Sequence, residues 1–375
     1  MRNLLTGKKV SLVVSGLILS STMTFAADTI DSAFKEGKVT GSLGIYGQKV
    51  EVKNFEPDFG YANANATLGY ETASFYGISA KAEFKGNLKL GEVEKGDYKS
   101  EDAFQNTALM TEAYLKYANE IIALKAGRQA VDLEWMGDYQ QAVIAEITAI
   151  ADTTIVLGYS QRKAESGIDL SEDFDKFNEN KGAYVADIKY AGFAGVEFNP
   201  YFYSAPDMAD WFGLKTTFSA DNFGLIAHYA ATNEDSNKNG QLEDGTIGHV
   251  ELNTKIEDFT AAVGYIKTDK DGGAESMTEI GDNISPFEDG NYVYEIDAKT
   301  IYGSLGYTIA DIELGALYGQ TKFERDYKEK ELNLTVAYSF TDSLEASVLY
   351  ADIKADKDYG DLDYNKILAS VEYSF

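Results

Sequence analysis

One pattern recurs along nearly the whole chain: an alternating strand, a short turn, a second alternating strand, then a longer polar connection. Residues 332–353, "LNLTVAYSF-TD-SLEASVLYADI", show it best. Leu332, Leu334, Val336, Tyr338 and Phe340 occupy one face, and Asn333, Thr335, Ala337 and Ser339 the other. After Thr341 and Asp342 the alternation restarts with Leu344, Ala346, Val348 and Tyr350. Period-two alternation gives a strand two unlike faces. Past residue 26 there is no apolar run long enough for a spanning helix.

Short and long connections take turns. The long ones include 163–182, 233–245 and 268–291, all rich in Asp, Glu, Asn and Gly. Tight turns at one end and long loops at the other are the layout of a transmembrane barrel with periplasmic turns and extracellular loops. The expected fold is therefore all-β, an antiparallel up-and-down transmembrane barrel, with its apolar faces toward lipid. Strands are expected at 38–50, 60–71, 76–87, 106–118, 120–128, 140–150, 153–162, 182–190, 195–204, 211–219, 223–232, 247–256, 259–268, 297–307, 311–321, 329–340, 343–354 and 363–375. That is eighteen. The stretch "QAVIAEITAI" (141–150) reads equally as a short helix. Parity makes it a strand, since one must return between 120–128 and 153–162. Sixteen strands remain an alternative if one weak hairpin lies outside the wall.

The polar faces carry charge of both signs. Glu83, Glu112, Glu146, Asp187, Glu197, Glu251, Glu313, Glu345 and Glu372 are expected in the lumen, with Lys81, Lys85, Lys116, Lys125 and Lys215. In a soluble barrel these would be buried at high cost, whereas a wet pore tolerates them. Tyr70, Tyr117, Tyr159, Tyr190, Phe223, Tyr265, Tyr307, Tyr338, Tyr350 and Tyr373 fall near strand ends on the apolar side, as expected for two aromatic girdles.

Residues 1–26 read as a secretory signal peptide. Arg2, Lys8 and Lys9 precede a short apolar core, and Thr24 and Ala26 stand at the small-residue positions. Its removal takes the formal charge from −28 to −31. Residues 27–375 are then one barrel domain of a Gram-negative outer membrane. The absence of cysteine excludes disulfides and thiolate metal sites. The acidic balance opposes nucleic-acid binding. Enzyme chemistry is not expected, because His228 and His249 have no serine at a telling spacing.

So wide a barrel needs a constriction to be selective. The candidate is the third outer connection near 129–140, "QAVDLEWMGDYQ", with Asp132, Glu134, Trp135, Asp138 and Tyr139. Glu146, Lys125 and Arg128 complete the candidate set, and the facing of Arg128 is ambiguous from spacing. Carboxylates in a narrow pore favour cations. The stretch 235–245 is similar to a calcium loop: Asp235, Asn237 and Asn239 alternate, Gly240 follows, and Glu243 comes next, although the twelfth position is Thr246. Calcium is therefore a candidate ligand there.

Three stretches carry a family resemblance: "DSAFKEGKVTGSLGIYG" (31–47), "AGRQAVDLEWMGDYQQAVIAEI" (126–147) and "SVEYSF" (370–375). They resemble bacterial outer-membrane porins of the Opr type, including the major outer membrane porins of campylobacteria. The resemblance implies an eighteen-stranded trimeric pore passing small hydrophilic solutes and ions. The basic lumen ladder of amino-acid-specific relatives is not evident here, so their substrates are not carried over. Expected partners are outer-membrane lipid, lipopolysaccharide and the barrel-assembly machinery, whose signal Tyr373 and Phe375 resemble. The expected function is passive diffusion with mild cation preference. The alternatives are a surface barrel acting through its loops and a substrate-specific uptake channel.

Overall fold

The computed structural model describes residues 27–53, 58–235, 243–281 and 283–375. The expected signal peptide lies outside the described residues, as do Asn237 and Asn239 of the calcium-loop reading.

Eighteen strands make the wall. They are β1 (Lys38–Val52), β2 (Phe59–Glu71), β3 (Ile78–Glu92), β4 (Ala108–Ala118), β5 (Ile122–Ala130), β6 (Tyr139–Ile147), β7 (Thr153–Ala164), β8 (Ala183–Phe193) and β9 (Val196–Ala205). The second half is β10 (Ala209–Ala220), β11 (Phe223–Glu234), β12 (Thr246–Ile256), β13 (Phe259–Thr268), β14 (Lys299–Ile309), β15 (Ile312–Phe323), β16 (Tyr327–Thr341), β17 (Leu344–Lys354) and β18 (Tyr364–Ser374). Each pairs antiparallel with its sequence neighbours. β18 returns to β1, from Ser42↔Ser374 to Val52↔Tyr364. Closure leaves no unpaired edge in lipid. A two-residue piece, Asp175–Lys176, adds to the outer end of β7.

The segment that could have been a helix is strand β6, paired with β5 and β7 along its length. The alternative of sixteen strands is thereby excluded. The largest boundary difference is at β3, which runs to Glu92 instead of stopping near 87. Leu88 and Leu90 continue its outward face, and Lys89 between them and Gly91 after them hide the period.

The outward faces are apolar and open: Leu115, Val143, Leu157, Ile301 and Val348 are all exposed. Burying such a face in acyl chains replaces what a soluble protein gains from a core. The girdle residues all sit on this face. Tyr70, Tyr117, Tyr190, Phe223, Tyr307, Tyr338 and Tyr373 lie toward the turns, and Tyr159, Tyr265 and Tyr350 toward the loops. At the turn end, helix α1 (Ile30–Lys35) is closed by a Thr29–Ser32 capping box and leads into β1.

Nine outer connections follow from this order. Three matter below: L3 (131–138), L4 (165–182) and L7 (269–298).

Candidate functional site

L3 turns inward because its apolar residues have nowhere else to go. Trp135 and Met136 are fully buried, packed among Tyr203, Trp211, Ile247 and Ile266 of the wall. Glu134 reaches across to β10, where the Lys215 ammonium donates to its Oε1 at 2.6 Å. Burial pushes the Glu134 carboxyl up, but Lys215 and His228 outweigh it and hold the group below its ordinary range. The Trp135 indole lies 6.0 Å from the His228 ring.

L7 meets L3 inside the barrel. Asn283 donates from Nδ2 to the Leu133 carbonyl at 2.7 Å, and Gly137 N–H donates to the Ile280 carbonyl at 2.9 Å. Ile280, Ile284, Phe287 and Val293 of L7 join the same apolar cluster. Further along, L7 is clasped to the wall by the Glu331 carboxylate of β16. That carboxylate accepts N–H bonds from Glu288 (2.9 Å), Asp289 (3.1 Å) and Gly290 (2.9 Å). The Asp289 side chain meets the Lys366 ammonium and accepts from the Tyr364 hydroxyl at 2.6 Å. Asn291 Nδ2 donates to Glu329 at 2.9 Å.

L4 crosses the lumen to the first strands of the wall. Asn65 Nδ2 on β2 donates to the Ile168 carbonyl at 3.0 Å, and Lys85 on β3 donates to the Leu170 carbonyl at 2.7 Å. L3, L4 and L7 thus all turn into the bore, where Asp169 of L4 comes close to Glu288 of L7.

The residues singled out from sequence fall in different places. Glu134 and Lys215 meet. Asp138, in a left-handed conformation, lies 3.8 Å from Lys163; burial and the nearby Glu165 push its carboxyl up to about 6. Asp132 is exposed on L3. Glu146 and Lys125 sit on the buried lumen faces of β6 and β5, with the Lys125 ammonium 4.7 Å above the Tyr114 ring. Arg128 falls on the outward set instead. Its register partners are Ala113 and Gln141, which alternate with the lumen residues Glu112 and Gln140. Its guanidinium donates to the Met110 carbonyl at 3.0 Å and stacks 4.2 Å from the Phe174 ring. Arg128 therefore stands at the loop end of β5, on the register that alternates with the lumen residues, with its guanidinium against Phe174 of L4. His228 and His249 lie directly opposite on β11 and β12, and each pairs with a tyrosine hydroxyl, Tyr201 at 2.7 Å and Tyr302 at 2.8 Å. Of the calcium-loop residues, Asp235 and Glu243 are described, and among the described residues no group of three His, Asp or Glu side chains converges on a metal-sized site.

The wall carries charges of both signs, with like charges facing each other at Glu83 and Glu112. Lys81 bridges Glu83 at 3.0 Å and also meets Glu112, while Lys116 and Lys125 face each other across β4 and β5. Glu313 and Glu372 remain open near the turn-side mouth.

Sequence reading missed Glu331, Asp289 with Lys366, and the inward course of L4 and L7. A signal was present. Ile280, Ile284, Phe287 and Val293 in L7, and Ile168, Leu170 and Phe174 in L4, are more apolar than surface loops need.

A closed wall with an apolar exterior, aromatic girdles and a charged, loop-lined interior defines an outer-membrane β-barrel of a Gram-negative bacterium. The chain belongs to the family described as "Putative outer membrane protein", whose profile matches residues 36–223. No curated protein matches the sequence. Solved structures match it in fold. Pseudomonas aeruginosa OpdO is 13% identical, with a TM-score of 0.75 over 92% of this chain and 98% of that one. Acinetobacter baumannii OccAB2 is 10% identical, with a TM-score of 0.74 over 92% of this chain and 99% of that one. Pseudomonas aeruginosa OccK8 (OprE) is 13% identical, with a TM-score of 0.71 over 92% of this chain and 100% of that one. The likeness is thus to porin barrels of Pseudomonas and Acinetobacter, and not specifically to those of campylobacteria.

Proposed function

We propose that the chain is a channel for a restricted class of small hydrophilic solutes, rather than an unselective diffusion pore. The observation that carries this is the fixing of L3, L4 and L7 inside the lumen by directed contacts. An open sieve needs only a wide bore. Here Glu134–Lys215, the Glu331 clasp and the Lys85 contacts each position one loop. Fixed charges and hydrogen-bond groups close to a narrow path are the means by which channels discriminate. Flux of single solutes into liposomes tests it: saturation with one solute class supports a selective channel, and rates ordered only by solute size would refute it.

The second reading is a general pore with mild cation preference, favoured by the acid excess on the lumen wall. In either case Asp132, Glu134 and Asp138 of L3 carry the anionic field, with Glu146 and Lys125 below them. Trimeric assembly, calcium at Asp235 and Glu243, contact with lipopolysaccharide, and an assembly signal at Tyr373 and Phe375 belong to the same proposal. The mass of the detergent-solubilised complex tests the trimer.

A further inference from the structure

The wall lysine Lys85 differs from its neighbour Lys81. Lys81 is matched by carboxylates, but among the described residues no carboxylate lies within ion-pair distance of Lys85. Its ammonium is instead buried under the tip of L4. An ammonium has three N–H donors. Lys85 spends them on the Ser166 hydroxyl (3.2 Å), the Gly167 carbonyl and the Leu170 carbonyl (2.7 Å). All three acceptors belong to one short stretch of L4.

That stretch is seated at two further points. The Ile168 carbonyl accepts from Asn65 Nδ2 at 3.0 Å. The Ile168 side chain fills a notch at Gly44 on β1: a Cβ there would stand 2.9 Å from Ile168 Cδ1 and 3.0 Å from Cγ1. Only a residue without a side chain leaves that space. Further along L4, Gln105 N–H donates to the Ser171 carbonyl at 3.0 Å.

We infer that Lys85 is a positioning residue, a latch that holds L4 as a strap against the lumen faces of β1–β3 and so sets the width of the path. Its charge serves the loop and not the solute, because its donors are already engaged. The inference rests on the channel reading above.

The test uses the full chain, which contains no cysteine. In a disulfide each Cβ lies about 3 Å from the partner sulfur, and Ile168 Cγ1 already stands 3.0 Å from the Cβ position of Gly44. Gly44→Cys with Ile168→Cys therefore forms a disulfide in membranes, read as a reducible change in gel mobility. Lys85→Met raises single-channel conductance and open-state current noise, and Asn65→Ala does so to a smaller extent. Combining Lys85→Met with the oxidised cysteine pair returns conductance to the wild-type level, and reduction releases it again. Failure of the cysteines to join overturns the docked strap. A Lys85→Met effect that persists in the cross-linked channel overturns the latch and makes Lys85 a pore charge. An unaltered Lys85→Met channel does the same to the latch. A wild-type protein that conducts nothing while the cysteines join sinks the channel reading alone.

Discussion

Replacing Glu331 with Gln should loosen L7 locally without unfolding the wall. The carboxylate takes three N–H bonds, two on Oε1 and one on Oε2. An amide keeps one acceptor oxygen. With that oxygen at the Oε1 position, the NH₂ group meets the Gly290 N–H donor to donor. The change removes one hydrogen bond to a charged group, worth about 1.5–3 kcal/mol, and weakens the other two. The Asp289 contacts with Lys366 and Tyr364, and Asn291 with Glu329, remain. The undocked population of the 288–290 segment should then rise by about 10- to 100-fold, since 1.4 kcal/mol is tenfold. Cleavage of a transiently open segment tracks its population when reclosing is fast. A glutamate-specific protease applied to intact cells should therefore cut at Glu288 at least tenfold faster in Glu331→Gln, with cleavage in the other outer loops unchanged. Equal cleavage in variant and wild type would refute the clasp. A uniform rise in all loops would mean a destabilised barrel instead.

Other outcomes follow from the same contacts. Burial among Asp289, Asp169 and Glu331, offset in part by Lys366, pushes the Glu288 carboxyl up to about 7. A raised pKa means that the docked loop holds its proton more tightly, so docking is strongest below the ordinary carboxylate range and weakens as pH rises toward 7. Protease access to L7 should increase from pH 5 to pH 8, and Glu288→Gln should flatten that profile; a profile unchanged by the substitution would show that another group titrates. Glu134→Gln and Lys215→Met should shift the reversal potential in opposite directions, the first toward anions and the second toward cations, because each unmasks its partner; shifts of the same sign would contradict the pairing. Phe375 exchanges two backbone hydrogen bonds with Gly41, each 3.0 Å, where the barrel closes. Its deletion should lower the amount of folded protein in outer membranes, seen as loss of heat-modifiable migration, while any assembled barrels keep wild-type selectivity.

The wall was legible because the period of a strand is two and its turns are punctuated. Even β6, ambiguous alone, was placed by counting direction. What could not be read was where the loops go. L3 was picked out as the inward segment, and its Trp135 is fully buried there. In L7, Ile280 and Phe287 gave a signal among many acids and glycines, but no local pattern names their partners on strands far away in sequence. Glu331 could not be singled out, since alternation shows a face but not the three backbone amides that meet it. Arg128 was ambiguous because β5 is short and ends beside the loop, and its stacking partner, Phe174 of L4, is distant in sequence.

The central claim is a water-filled path narrowed by three positioned loops. Single-channel recording in planar bilayers, with a salt gradient for the reversal potential, tests it most directly. The account predicts discrete conductance steps, a reversal potential on the cation side, and a current reduced by one solute class in a saturable way. A purified, correctly folded barrel that inserts and passes no current would contradict it.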